Sequence, residues 1–269
     1  MNVVITGSTK GIGLGLAREF LRRGHSVVIS GRSQDGVDRA VAEVRGLGKV
    51  LGLVADVRQY ASVRHLWEQA VAGLGSVDVW INNAGMTNRR LNFNELPETQ
   101  IPEVIATNLL GTLYGCRVAI EGMVRQGSGR VFNMEGFGSD GLTQPGMTVY
   151  GTTKNAVRYL TRSLVEECRG SPLVIGTLSP GIVITDLLTR DLYEPGSAEF
   201  ASRRRFLNML ADTVDTVAPH LVDGILAASK TGADVRWMGP VQALGRVLKC
   251  LVVKRDPFAA AGSAPPPGT

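Results

Sequence analysis

The sequence predicts an α/β fold: a single doubly wound parallel sheet with helices on both faces. Three observations carry this expectation. Apolar runs of strand length alternate with longer stretches whose apolar residues fall at helical spacing. A glycine-rich turn directly follows the first run, and no linker, nor any repeat beyond the strand-helix period, divides the 269 residues. With 44% hydrophobic residues, a chain of this length can bury the core of one large domain.

The strand-like runs are residues 2–6, 26–30, 50–55, 77–82, 130–133 and 173–179. They are apolar at successive positions, as strands buried on both faces must be. Between them, residues 11–24, 60–74, 101–125 and 148–167 show helical periodicity. Right-handed crossovers then wind the sheet into a Rossmann-type arrangement, with ligand-binding loops at the strand C-termini. Past residue 185 the pattern loosens, and the polar, arginine-bearing stretch 187–212 is expected to form helical pieces within a segment, 185–213, that covers the mouth of the site. A short strand around 235–238 should close the sheet edge, followed by an amphipathic stretch, 241–253. The domain is expected to span 1–258, and the Ala-, Gly- and Pro-rich residues 259–269 to be a disordered tail.

Lys and Arg number 29 against 24 for Asp and Glu, and the resulting charge of +5 is scattered, which argues against a nucleic-acid-binding protein. Cys116, Cys168 and Cys250 are odd in number and far apart, with no C-x-x-C. That usage points to a reducing compartment and to no metal site. No apolar run approaches the roughly 18 residues of a membrane span, and no basic-then-apolar leader precedes the first strand. The expected location is the cytoplasm, or an organelle stroma for a processed form.

The first turn reads T-G-S-T-K-G-I-G at 6–13. Gly7, Gly11 and Gly13, with Ser8 and Ile12 between them, would let backbone approach a pyrophosphate lying against the unpaired amides of a helix N-terminus. The alternative for the glycines alone is a plain strand-to-helix turn. At the end of the second strand an acid would hold a ribose 2′-hydroxyl, whereas this chain has Arg32 and Ser33. Arg32, helped by Lys10, would pair with a 2′-phosphate, so NADPH is the expected cofactor; otherwise Arg32 is a solvated surface residue.

Tyr150 and Lys154 stand four apart in Y-G-T-T-K and so share one helix face. A phenol of pKa ~10 is a poor proton donor and acceptor at neutral pH, but a nearby ammonium would lower it by roughly one to three pH units. Such a tyrosine could protonate a developing alkoxide, worth roughly a hundred- to ten-thousand-fold in rate.

Together with Asp56-Val57 after the third strand, N-N-A-G at 82–85, Asn108 in a mid-chain helix and P-G-I-V-I-T at 180–185, these motifs resemble the short-chain dehydrogenase/reductase family over residues 1 to about 240. The resemblance implies that Asp56 and Val57 meet the adenine, that Asn83, Ala84 and Gly85 lie beside the cofactor, and that Asn108 anchors a proton-relay water. It also implies that Lys154 holds the nicotinamide ribose, that Pro180, Gly181, Val183 and Thr185 meet the carboxamide end, and that the protein is a homo-oligomer. Asn82 and Asn108 could equally be buried amides tying backbone together.

One departure stands out. The family places a carbonyl-orienting serine about 12 to 14 residues before the tyrosine, where this chain has Gly136, Phe137 and Gly138. Ser139, eleven residues before Tyr150, is the nearest hydroxyl able to substitute. Otherwise it is a loop serine and the carbonyl is polarised differently.

N-M-E-G-F-G-S, T-V-Y-G-T-T-K and S-P-G-I-V-I-T-D-L-L look like the chlorophyll b reductase branch of the family, a likeness that continues to about Phe258. It implies reduction of a 7-formyl group on a chlorophyll-type pigment to hydroxymethyl. A bulky pigment needs an apolar mouth, for which Leu187, Leu188, Leu192, Tyr193, Phe200, Phe206 and Leu207 are candidates. Leu244, Val247, Leu248 and Leu251 beside Arg246, Lys249, Lys254 and Arg255 could rest on a membrane surface, or else pack on the core or on a second copy. Two other functions stay open: a general carbonyl or 3-oxoacyl reductase, and a non-catalytic NADPH-binding sensor or scaffold.

Overall fold

The computed structural model describes residues 1–189, 198–239, 242–243, 245–246 and 255–260. Seven parallel strands form the sheet. They are β1 (Asn2–Ile5), β2 (Ser26–Gly31), β3 (Val50–Val54), β4 (Val79–Asn82), β5 (Gly129–Met134), β6 (Leu173–Ser179) and β9 (Ala233–Arg236), in the order β3-β2-β1-β4-β5-β6-β9. The doubly wound parallel sheet is as expected. The edge strand begins two residues earlier than the run around 235–238 suggests, pairing Gly176 to Ser179 with Ala233 to Arg236.

Alternate residues of the central strands serve opposite layers. Val3, Ile5, Val27, Ile29 and Ile81 pack under α1 (Gly11–Arg22) and α9 (Val214–Ala227), meeting Leu16, Phe20, Leu221 and Ile225. Val4, Val28, Trp80, Val131 and Ile175 face the other way, against Leu66 and Trp67 of α3 (Tyr60–Leu74) and Val118 and Met123 of α5 (Gly111–Gln126). Each fully buried aliphatic or aromatic side chain contributes about 1.5–3 kcal/mol. This two-sided burial is why the strands read as continuous apolar runs.

The expected helix over 101–125 is broken in its first third. α4 (Gln100–Ile105) passes into a wider π-helical turn, Ala106–Leu110, before α5 resumes. α6 (Thr148–Glu167) spans the residues expected of it. Helix α2 (Gln34–Val44) also forms, with only Val37, Ala40 and Val44 buried.

Over the C-terminal edge lies a smaller layer. β7 (Ile182–Val183) pairs with β8 (Ala211–Asp212), and α7 (Asp186–Thr189) and α8 (Ala198–Leu210) run between them. Ile184, Leu207, Ala211 and Phe258 form its own small core. Asp212, 3% exposed, accepts hydrogen bonds from Trp237 Nε1 at 2.6 Å, from Arg255 at 2.8 Å and from Arg246. Burial pushes this carboxyl up, but those three donors outweigh it and hold the pKa below the usual range. Residues 190–197, most of the stretch 241–253 and the tail from 261 lie outside the described residues. Of the basic residues considered for a membrane surface, Arg246 and Arg255 point inward to Asp212.

Candidate active site

β1 and β4 are neighbours in the sheet, yet the chains that follow them depart to opposite sides. The crevice this leaves at their C-terminal ends is where the glycine turn lies. Gly7 and Gly11 take φ of +61° and +58°, the left-handed region. A Cβ on Gly7 would stand 2.7 Å from Ala84 Cα, and one on Gly13 would stand 2.4 Å from Asn83 Nδ2. The turn therefore meets the chain after β4 backbone to backbone.

Polar clips hold the two loops in register. Thr6 Oγ1 accepts from the Asn83 and Ala84 amides at 3.0 and 3.1 Å, and Asn83 Nδ2 donates to the Thr6 and Gly7 carbonyls. Ser8 is fully buried; its hydroxyl donates to the Ile5 carbonyl and accepts from the Ser30 amide, so it belongs to the scaffold. α1 starts with no side-chain cap and no acid in its first turn. Its first amides are left for an anionic ligand, and this cradle fits a dinucleotide pyrophosphate.

The far end of the crevice is basic. Arg32 is exposed, and Ser33 caps α2 by accepting from the Gly36 amide at 3.3 Å. Arg58 bonds both carboxylate oxygens of Asp56, which holds that acid below its ordinary pKa, with the Arg32 charge adding to the effect. Val57 is buried against Gly111. Lys10 is tied to Asp186 at 2.9 Å, linking the glycine turn to α7.

At the catalytic end, Tyr150 and Lys154 are 7% and 5% exposed on α6 and line a cleft with Ile12, Asn83, Gly85, Pro180, Val183 and Thr185. Lys154 Nζ donates to the Met134 carbonyl at 3.0 Å and stands 5.8 Å from the centre of the Tyr150 ring. The expected lowering of the phenol is not realised in this arrangement. Burial pushes Tyr150 up to about 12 by desolvating its charged form, and pushes Lys154 down to about 8 for the same reason, against the opposing pull of the Glu135 charge.

Asn108 sits in the π-helical turn, 1% exposed. Its Oδ1 accepts from the Met86 amide at 2.8 Å, and its Nδ2 donates to the Met86 carbonyl and to Thr153 Oγ1, which itself donates to the Tyr150 carbonyl. Asn108 thereby locks the chain after β4 to the helix carrying Tyr150. Gly85 lies between them, a Cβ there falling 3.5 Å from Asn108 Oδ1 and 3.8 Å from Lys154 Nζ. Asn82 is a scaffold amide: it accepts from Trp80 Nε1 and donates to Asn133 under the sheet.

Ser139 is not among the residues that line the cleft with Tyr150. It is 5% exposed, and its Oγ accepts from the Gly136 amide at 3.1 Å. The residue that does meet the phenol is Gly136, where a Cβ would stand 2.3 Å from Tyr150 Oη. Position 136 therefore offers no hydroxyl to a substrate carbonyl.

Three residues of the site are given no role by the motif reading, although Thr153 and Glu135 stand inside quoted motifs. Asn88, buried, accepts from the Tyr150 amide and donates to the Gly146 carbonyl, fixing the start of α6. Thr153 bridges Asn108 and Tyr150 as above. Glu135, 6% exposed, also lines the cleft. At the mouth stand Phe137, Met147, Leu187 and Leu188. Leu207 belongs instead to the small core of the covering layer, and Phe206 is exposed. Leu192, Tyr193 and the side chain of Phe200 fall outside the described residues.

A family model described as short chain dehydrogenase matches residues 1–194. "Chlorophyll(ide) b reductase NOL, chloroplastic" of Oryza sativa subsp. japonica is 39% identical over 91% of this chain and 74% of its own length. "Probable chlorophyll(ide) b reductase NYC1, chloroplastic" of Arabidopsis thaliana is 35% identical over 90% of this chain, which spans only 51% of that relative. Among solved structures, levodione reductase superposes with a TM-score of 0.81 over 90% of this chain and 97% of its own, at 24% identity.

Proposed function

Since this chain belongs to the short-chain dehydrogenase family of nicotinamide-dependent oxidoreductases acting at a carbonyl or alcohol group, we propose that it reduces the 7-formyl group of a chlorophyll b-type pigment, using NADPH. The observation that carries the pigment is the likeness to chlorophyll(ide) b reductases, which runs across 90% and 91% of the chain and so includes the substrate-covering segment. The site supports it in two ways. The bare Cα of Gly136 leaves the approach to Tyr150 open, and Phe137, Met147, Leu187 and Leu188 give the mouth an apolar rim suited to a flat macrocycle. NADPH is favoured by Arg32, exposed at the end of β2 where no acid stands.

When bound, the nicotinamide supplies the hydride that adds to the carbonyl carbon. Tyr150 gives its phenolic proton to the carbonyl oxygen as negative charge builds there. The Lys154 ammonium steadies the phenolate that remains and is placed to hold a ribose hydroxyl, while Asn108 through Thr153 ties down the Tyr150 main chain from which the phenol reaches the cleft. An aldehyde needs one hydride and one proton, and this constellation handles both. Ser139, within its loop, orients the Gly136 backbone beside the phenol and so acts at one remove from the carbonyl.

Among the described residues no helix is long and apolar enough to cross a membrane. The enzyme on this reading works from the aqueous side, in cytoplasm or stroma, on pigment presented to its apolar mouth. The test is incubation with NADPH and chlorophyll b in detergent, followed by the pigment's absorption bands. Conversion to the 7-hydroxymethyl pigment is expected. Turnover of soluble ketones or 3-oxoacyl esters with none of the pigment would replace this reading with a general carbonyl reductase, and NADPH binding without any hydride transfer would leave a sensor.

A further inference from the structure

In the motif N-M-E-G-F-G-S the acid has no part in the chemistry above, yet Glu135 is one of the most buried carboxylates described, at 6% exposure. It directly follows β5, before Gly136, and lines both the catalytic cleft and a second cavity that shares the Gly136–Phe137 and Pro180–Ile182 walls. Ser179 Oγ donates to its Oε2 at 2.5 Å, and Arg158 Nε lies 3.6 Å from its Oε1.

Lys154 and Arg158 are one turn apart on α6, and both are drawn against the end of β5, Lys154 through the Met134 carbonyl and Arg158 through Glu135. Two cations at this spacing repel each other, and burial disfavours the ammonium further. A buried carboxylate next to them is costly unless it is paired and hydrogen-bonded, and here it is both. The other charges around it are Arg236 from β9, itself paired with Asp234, and Asp140 in the loop before α6.

We propose that Glu135 is a positioning residue for the reduction: an anion fixed by Ser179 and Arg158 in the wall of the cleft that Lys154 also lines, whose charge keeps Lys154 in its ammonium form there. This rests on Tyr150 and Lys154 being the working pair, and its test needs neither pigment nor turnover. The pull of burial on Lys154 is opposed by the Glu135 charge, the direction this role requires.

The experiment is competitive labelling of Lys154 with acetic anhydride across pH, read by mass spectrometry on the intact protein. Wild type should titrate near pH 8. Glu135→Gln should titrate lower by about half a pH unit or more. Glu135→Asp should fall between the two, and Arg158→Met, which removes a neighbouring cation, should move Lys154 upward. A purely structural role would not give shifts of opposite sign. If Glu135→Gln fails to fold, Arg158→Met still decides the matter. An unmoved Lys154 in either folded variant overturns the proposal, whatever the substrate proves to be. In turnover, Glu135→Gln should lose kcat above pH 7 while the NADPH Kd stays within twofold.

Discussion

Replacing Gly136 by alanine tests the geometry of the catalytic end with the smallest possible change. The added Cβ would stand 2.3 Å from Tyr150 Oη and 3.2 Å from both Tyr150 Cζ and Lys154 Cε, whereas ordinary contact begins at 3.4 Å. The phenol must retreat by about 1 Å, or the strand end must move as far. A misplacement of ~1 Å at a reacting group costs on the order of a hundredfold in rate. Overpacking of this kind costs about 1–3 kcal/mol in stability. Single-turnover reduction with saturating NADPH should thus slow by about two orders of magnitude, with NADPH affinity intact because the glycine turn is untouched. Serine at the same place carries the same Cβ and should not rescue the rate, despite supplying a hydroxyl. A Gly136→Ala enzyme that reacts at the wild-type rate, with an unchanged Tm, would refute the reasoning.

Other perturbations have signs set by the structure. Lys154 falls to about 8 on burial, from an ordinary value of 10.5, so the folded state binds fewer protons than the unfolded one between those pH values. Stability arising from this group rises with pH through that window, and below pH 8 the buried ammonium costs about 3 kcal/mol. Lys154→Met should therefore raise the Tm at pH 7 while abolishing turnover; a lower Tm would contradict the burial argument. Arg32→Asp should raise the KM for NADPH at least tenfold while changing that for NADH little, and equal effects on both would reject Arg32 as the phosphate partner. Asp212→Ala removes the acceptor shared by Trp237, Arg246 and Arg255. With the arginines partly solvated, about 2 kcal/mol of local stability should go. Limited trypsin digestion should then cut faster at Arg246 or Arg255, and the KM for substrate should rise more than kcat falls.

What sequence alone discloses depends on how local the cause is. α6 is legible along its whole length because the periodicity of its own residues sets it, and with it come Tyr150 and Lys154 on one face. The glycine turn is equally legible, since its conformational demand falls on Gly7 and Gly11 themselves. The break before α5 is not: the π-helical turn is held by Asn108 bonds to Met86, 22 residues away, and to Thr153, 45 residues away. β7 and β8 are two residues each, too short to show a period. The pKa of Tyr150 illustrates the same limit, because spacing reveals the ammonium four residues on but not the burial that raises the phenol. The surroundings of Ser139 are hidden for a related reason. Its distance along the chain comes close to the family pattern, while the loop turns its hydroxyl onto the Gly136 amide and brings Gly136 to the phenol.

The central claim is direct hydride reduction of a formyl pigment with Tyr150 as the proton donor. The most direct measurement is a single turnover with NADPH deuterated at the transferring C4 position and chlorophyll b in detergent, with the product analysed by mass spectrometry. Wild type should yield the 7-hydroxymethyl pigment carrying one deuterium on the new CH(D)OH carbon, and Tyr150→Phe, loaded with the same cofactor, should yield almost none. Product without deuterium, or a Tyr150→Phe enzyme that matches wild type, would contradict the account.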